Sequence, residues 1–358
     1  MKIISTGTVG ADGSYHGWPT AAKTADGRLL AAASGGREAH VCPMGRVRLY
    51  ISDDSGETWK SGGSLSHGPL DDRDPGICVC GDNSIIVSYF TSLDAVLYPK
   101  EGDPAHWDEV RKNITADMMI KEHDFWMLRS TDNGETWGNR YPAPVSNPHG
   151  PSLCGDGSLV WVGMRKSDSC ATQKSGMRTS GGLVCAVSHD NGINWQIVSE
   201  IPAPAGQSIL GFYEPHCIEA HDKKIVLHIR NHNTSPVSIW QSCSEDGGRS
   251  WSIPTYVCDG FPSFLTKLSQ GRLLMCYSWR LDNYGIRARI SNDNGGSWGE
   301  EIILYKHGLC RDLGYPSSVE LQDGSIFTLW YENISWKEQD FSIRKPSKAL
   351  LKYCRWIL

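Results

Sequence analysis

One pattern constrains the fold of this chain more than any other: Ser-x-Asp-x-Gly-x-(Thr/Ser/Asn)-Trp, found at Ser52 to Trp59, Ser130 to Trp137, Ser188 to Trp195, Ser244 to Trp251 and Ser291 to Trp298. Each part has a mechanical purpose. The Asp carboxylate accepts hydrogen bonds from nearby backbone N–H groups, and the Gly two residues on takes a positive φ, which together make a tight hairpin. The Trp then packs its indole beneath the turn. Such boxes build architecture, and their aspartates are not expected to be catalytic. They also explain part of an unusual composition, 14 Trp and 38 Gly in 358 residues.

A strand-like run precedes each box, as in Arg46 to Ile51 or Gly182 to Val187. Further upstream, turns such as Asp26-Gly27, Asp156-Gly157, Gln270-Gly271 and Asp323-Gly324 introduce apolar runs, and Asp82-Asn83 and Asp222-Lys223 take the same place without the Gly. Six strand–turn–strand units result, five of them followed by a box. The spacing of the box tryptophans approaches the roughly 40–50 residues of a propeller blade once insertions are allowed. The expected fold is all-β: a six-bladed β-propeller of four-stranded antiparallel blades, forming one domain over residues 1–358. Two insertions, about 92–124 and 165–181, fall on one edge of the disc, where they can form the pocket rim. In the first, Asp103 and Pro104 start a helical pattern with Trp107, Val110, Ile114 and Met118 on one face, so a short amphipathic helix is expected in the second blade. The second insertion is polar and glycine-rich and reads as a mobile loop.

Charge removes several functions. With 35 basic and 40 acidic side chains, net charge −5, the chain lacks the basic excess that nucleic-acid contacts require. Neither a leader-length apolar run at Met1 to Gly7 nor a bilayer-spanning stretch is present, so a soluble cytoplasmic protein with no membrane contact is expected. The 12 cysteines are scattered through apolar stretches and include no Cys-x-x-Cys pair, which favours reduced buried thiols and no metal or other cofactor.

Six Pro-bearing sites recur at one point of the repeat: Trp18-Pro19, Asp74-Pro75, Gly150-Pro151, Glu214-Pro215, Phe261-Pro262 and Tyr315-Pro316. Equivalent points on innermost strands converge on the axis, so residues beside these prolines, together with arginines ending the second strands, are expected to face one pocket. His149 belongs to that ring.

The boxes on six expected blades resemble the exo-sialidases (neuraminidases) along essentially the whole chain. In the last blade, Gly314-Tyr315-Pro316-Ser317-Ser318 ahead of Asp323-Gly324 and Tyr331-Glu332 resembles that family's nucleophile segment, with Pro316 as an extra residue. Tyr213-Glu214-Pro215, followed by Val226 to Arg230, resembles its Glu-Pro strand and partner arginine. The resemblance implies Tyr315 as nucleophile, Glu214 as its base partner, and Arg230 and Arg280 as clamps on a substrate carboxylate, with Arg287 as the fallback for Arg280. A neutral phenol approaches an anomeric carbon bearing a carboxylate with less repulsion than a carboxylate nucleophile would. The first blade departs from the family: His16-Gly17-Trp18-Pro19 stands where Arg-Ile-Pro is expected. Arg37 matches a later arginine of that blade, and Arg73 is the candidate replacement for the missing clamp. The general acid then falls to Asp74 or Glu38, with His40 also in range. Trp18 and Trp279 are placed at the pocket as flat faces for a sugar ring.

The expected activity is retaining exo-glycoside hydrolysis of a terminal acidic sugar, sialic acid first, from small glycosides. Another sugar, uronic acid or deoxysugar, is the first alternative, and a non-catalytic glycan-binding propeller the second. The partner is a small glycoside or oligosaccharide, and a homo-oligomer is compatible with the sequence.

Overall fold

The computed structural model describes residues 1–10, 13–167, 177–335 and 344–358. The chain is built of antiparallel β meanders in a propeller-like arrangement. Their innermost strands touch in a closed ring: Tyr15–Lys23, Asp71–Val79, Ser152–Leu153, Phe212–Glu219, Ser263–Lys267 and Leu313–Glu320, the last returning to the first.

Hydrogen bonding does not give six separate four-stranded sheets. Among the described residues it gives five sheets: three of four strands, one of five and one of eight. The five-stranded sheet arises because Val145–Ser146 and Ser152–Leu153 both pair with Leu159–Lys166, interrupting the inner strand around Asn147 to Pro151. The eight-stranded sheet arises because the meander Tyr15–Lys23, Leu29–Arg37, Arg46–Ser52, Lys60–Ser64 meets the strand Ala349–Ile357 through a single parallel pair, Tyr15 with Ala349. On its outer side Ala349–Ile357 carries Lys2–Val9.

Second strands such as Ile85–Ser92 and Ile326–Asn333 are buried along their whole length, since neighbouring sheets cover both faces. They therefore read as largely apolar runs without strict alternation, with buried polar residues such as Ser88, Thr91 and Thr328 among them. The boxes stitch these faces together. Asp54 accepts hydrogen bonds from Ser52 Oγ at 2.8 Å and from the Thr58 N–H at 2.9 Å, and the Trp59 indole N–H reaches the Gly56 carbonyl at 3.0 Å. The same contacts recur around Asp132, Asp190 and Asp246; in the last box Trp298 donates instead to Gln241 Oε1 at 2.8 Å. A box glycine is required twice over. Gly192 has φ 81°, and a Cβ there would lie 2.2 Å from Ile86 Cδ1 of the adjoining sheet.

The insertion between Ile85–Ser92 and Phe125–Ser130 holds two short helices, His106–Lys112 and Ala116–Glu122, preceded by a turn of helix at Asp94–Leu97, where one helix is expected from the apolar spacing. The break has a local cause: Thr115 accepts a hydrogen bond from the Met118 N–H and caps a new helix. Asp103 caps neither helix; its carboxylate binds the Arg111 guanidinium. Trp107 is fully buried, while Met118 is exposed. Residues 168–176 of the second insertion lie outside the described residues. Among the described residues, no helix is long and apolar enough to cross a membrane.

Candidate active site

Four of the Pro-bearing sites share one backbone device. Trp18, Asp74, Glu214 and Tyr315 all have positive φ, 52°, 52°, 44° and 52°. Each sits at a break in strand register, between Gly17 and Thr20, Arg73 and Gly76, Tyr213 and His216, and Gly314 and Ser317. A left-handed residue directly before proline is costly, and it persists only where the surroundings hold it. The holding contacts are visible: the Asp74 N–H binds Ser34 Oγ and the Tyr315 N–H binds Ser278 Oγ, both at 3.0 Å and both from second strands of adjoining sheets. A bulge of this kind turns one side chain out of the alternation of its strand, here toward the axis.

The third such site explains a misplaced residue. At His149-Gly150-Pro151 the left-handed position, φ 77°, falls on Gly150, which has no side chain to aim. His149 is consequently packed behind Tyr315 against His216 and Phe264, and it lines a cavity on the other side of the ring, not the pocket.

The pocket has a volume of about 490 Å³. Its polar wall combines Arg73, Asp74, Glu214, Arg230, Arg280 and Tyr315, with Trp18 and His40 alongside; Phe90, Met164, Met177, Leu210 and Tyr213 form an apolar wall. At the centre, the Tyr315 hydroxyl donates a short hydrogen bond to Glu214 Oε1. Arg230 Nη1 binds Glu214 Oε2 at 2.5 Å and stands 3.5 Å from the Tyr315 hydroxyl. Arg280 is held by the Leu313 carbonyl at 2.8 Å and lies over the Tyr315 and Phe261 rings at 5.4 and 5.1 Å.

These contacts set the protonation states. Burial alone would raise the Glu214 carboxyl, yet Arg230 and the Tyr315 hydroxyl outweigh it and hold the group below its ordinary range. Burial, reinforced by the Glu214 charge, pushes the Tyr315 phenol well above its ordinary value. The proton therefore rests on Tyr315, already aimed at a carboxylate able to accept it as the phenolic oxygen bonds to carbon. Asp74 behaves in the opposite way from Glu214. Burial raises it to about 6, assisted by Glu214 and opposed by Arg73 and Arg37. Its Oδ1 makes no hydrogen bond and lies 3.8 Å from Arg73 Nε. Two carboxyl groups with environments driven apart are the arrangement acid–base chemistry needs.

The structure thus brings together Tyr315, Glu214, Asp74, Arg73, Arg230, Arg280 and Trp18. Five other expected site residues lie elsewhere or behave differently. Glu38 accepts hydrogen bonds from His106 and from the Trp107 indole N–H, both at 2.9 Å, because the insertion helix folds over it. Arg37 is buried beneath the pocket floor, paired with Asp71 at 3.0 Å, and does not line the cavity. Trp279 bonds its indole N–H to the Asp282 carbonyl at 2.7 Å and packs under Arg287 outside the pocket. Arg287 itself binds Glu301 and the Tyr305 carbonyl. His149 is displaced as described. Trp18 reaches the pocket but offers no face to a sugar: it is 1% exposed, with the Arg73 and Arg37 guanidinium groups over its ring at 4.3 and 4.8 Å.

One group escaped the sequence altogether. Asp312 is fully buried and accepts hydrogen bonds from the Tyr15 and Tyr331 hydroxyls at 2.9 Å, His40 Nδ1 at 2.9 Å and the Asn333 amide at 3.0 Å. Burial would raise its carboxyl, but these donors hold it down to about 2. It sits outside every repeat, and only the fold assembles its partners.

A family model described as BNR repeat-like domain matches residues 103–328, more than half of the chain. The chain belongs to the BNR repeat-like family. No curated protein matches it. Among solved structures, a protein of unknown function from Dyadobacter fermentans aligns with this BNR repeat-like chain at TM-score 0.77 and 20% identity, covering 100% of this chain and 99% of that one. The intramolecular trans-sialidase from Ruminococcus gnavus aligns at TM-score 0.64 and 16% identity, covering 97% and 96%. The NanB sialidase from Streptococcus pneumoniae aligns at 0.65 and 14%, covering 100% and 70%. At these identities the likeness establishes the sialidase-like propeller fold and leaves activity to the site itself.

Proposed function

We propose that this chain is a retaining exo-glycoside hydrolase of sialidase type, acting through one propeller domain over residues 1–358 on a terminal acidic sugar of small glycosides, with sialic acid the first substrate to test. The observation that carries the proposal is the Tyr315–Glu214–Arg230 cluster on the wall of a closed-ring pocket. Arg230, Arg280 and Arg73 would hold the substrate carboxylate. Tyr315 would attack the anomeric carbon as its proton passes to Glu214, while Asp74 protonates the departing oxygen. Asp74 would then take a proton from the water that releases the sugar from Tyr315, and Glu214 would return its proton to the departing phenolate, which restores every group. The product is the free sugar with its anomeric configuration retained.

Trp18 favours a second acidic sugar. With an indole where the resembling family carries its first clamp arginine, and Arg73 spread over that indole, the cationic wall is arranged differently. A hexuronic acid, smaller than a sialic acid, fits that change. The deciding assay offers aryl α-sialosides and aryl uronides to wild type and Tyr315→Phe, with the anomeric outcome read by NMR. Release of an acidic sugar that Tyr315→Phe abolishes supports the proposal. Sugar binding without turnover of any glycoside, or turnover indifferent to Tyr315, refutes it.

A further inference from the structure

The inner strands serve two chambers. Asp74, Glu214 and Tyr315 line the pocket, while Ile77, His216 and Ser318, two or three residues further along, line a second cavity of about 350 Å³ that opens on the other face. The layer between them is tightly knit. Thr20 Oγ1 donates to the Pro148 carbonyl at 2.9 Å, the Ala21 N–H donates to Ser317 Oγ at 3.0 Å, and a Cβ on Gly76 would lie 2.1 Å from the Gly150 nitrogen. His149 fills this layer. Its ring centroid lies 6.3 Å from that of Tyr315, 5.2 Å from His216 and 5.3 Å from Phe264, and His216 stacks on Phe264 at 4.2 Å. The His149 main chain is pinned, since Asn147 Oδ1 accepts hydrogen bonds from the His149 and Gly150 N–H groups at 2.9 and 2.6 Å. The imidazole has no such tie: it is 1% exposed, and neither ring nitrogen makes a hydrogen bond among the described residues. Burial lowers it to about 4 against the pull of the Glu214 charge, so the ring is neutral at pH 7. A buried, neutral ring without hydrogen bonds acts through its shape and its exclusion of water.

We propose that His149 is a positioning residue that closes the axial channel directly behind Tyr315, keeping water of the second chamber from the Tyr315–Glu214 pair and fixing the direction of the phenol. This rests on the reading of Tyr315 as the nucleophile. Water then reaches the pair from the pocket side alone. Trp18 and Tyr331 brace the same phenol ring at 6.4 and 6.0 Å, so His149 is the third support of one mount. A nucleophile displaced by about 1 Å can lose about 100-fold in rate, which gives such a mount its value.

Two measurements on the full chain test this, with His149→Ala to join the chambers and His149→Phe to keep them apart. In protein carrying ¹³Cζ-labelled tyrosine, with Tyr315 assigned by its loss in Tyr315→Phe, the wild-type and His149→Phe phenols should titrate well above the ordinary value. In His149→Ala the phenol should titrate at least about one pH unit lower than in wild type, because water relieves the burial that raises it. The groups facing that phenol, Glu214, Asp74, Arg73, Arg230, Arg280 and Tyr331, are the same in all three proteins. In kinetics with whichever aryl glycoside the wild type hydrolyses, His149→Ala should lower kcat about 30-fold with KM nearly unchanged, since the clamping arginines are untouched. His149→Phe should keep kcat within about threefold of wild type. An unchanged phenol titration or an unchanged kcat in His149→Ala overturns the proposal, and so does a larger loss in His149→Phe. If His149→Ala does not fold by circular dichroism, His149→Phe decides by the same threefold limit. The two proposals fail separately: a lowered phenol titration in His149→Ala without turnover of any glycoside by wild type retains the closure and removes the hydrolase, and Tyr315-dependent turnover indifferent to His149→Ala does the reverse.

Discussion

Asp74→Asn is expected to make the protein more stable and less active, with the stability gain confined to higher pH. An ordinary aspartate titrates near 3.8, and burial holds Asp74 at about 6. A group whose folded value is raised destabilises the fold once ionised. The penalty is absent below the unfolded value, grows as pH rises between the two, and is complete above the folded value. The gap of about two pH units corresponds to about 3 kcal/mol at neutral pH. That is a ceiling, because the asparagine amide must also be accommodated. The geometry agrees in direction: Asp74 Oδ1 makes no hydrogen bond, and its nearest cation is Arg73 at 3.8 Å. Thermal melts of wild type and variant at pH 7.5 and pH 3.5 read the difference directly. The variant should melt about 5 °C higher at pH 7.5 and equal to wild type at pH 3.5. Its turnover should fall at least about 100-fold for a glycoside with a poor leaving group, and less for an activated aryl glycoside that departs without protonation. A lower melting temperature at pH 7.5, or one offset at both pH values, would refute the view that ionisation of the buried Asp74 costs stability.

The same titration predicts that kcat/KM declines as pH rises through about 6, where Asp74 loses the proton it must donate; a rate flat from pH 5 to 8 would count against it as the acid. Glu214→Gln removes the acceptor for the Tyr315 proton and leaves Arg230 without its anion, so turnover should drop about 1,000-fold with the fold intact by circular dichroism. Gly192→Ala should lower stability by about 2 kcal/mol in denaturant melts, since the new Cβ meets Ile86 at 2.2 Å on a left-handed backbone. Activity should survive dialysis against a chelator unchanged.

Much of the fold was legible because it repeats. The boxes and Asp-Gly turns are local signals, each defined by a few adjacent residues, and local signals survive in sequence. The pairing of Tyr15 with Ala349, which merges two meanders into one sheet, joins residues far apart in the chain and leaves no trace in either neighbourhood. The site follows the same rule. Asp74, Glu214 and Tyr315 were found because each directly precedes a proline at the bulge. His149 was misjudged because the residue occupying that position is Gly150. Glu38 and Arg37 lie in a segment resembling a catalytic one, yet distant elements claim them, Trp107 from the insertion and Asp71 from the next inner strand. The Asp312 cluster had no local signal at all, being four donors from three separate stretches gathered on one carboxylate.

The four left-handed bulges carry a consequence for how such a site can change over time or under design. Where the main chain alone decides direction, the side chain is free to vary: the bulge and its serine anchors belong to the backbone, and only the last few atoms belong to chemistry. Trp18, Asp74, Glu214 and Tyr315 thus occupy equivalent backbone sockets on one ring, and Gly150 is a socket without a side chain. Trp18 and Tyr315 also pack in the hydrophobic core, and a Cβ at Gly150 would lie 3.1 Å from the Gly76 backbone, so a library restricted to Asp74 and Glu214 is the one that varies the chemistry while sparing the core.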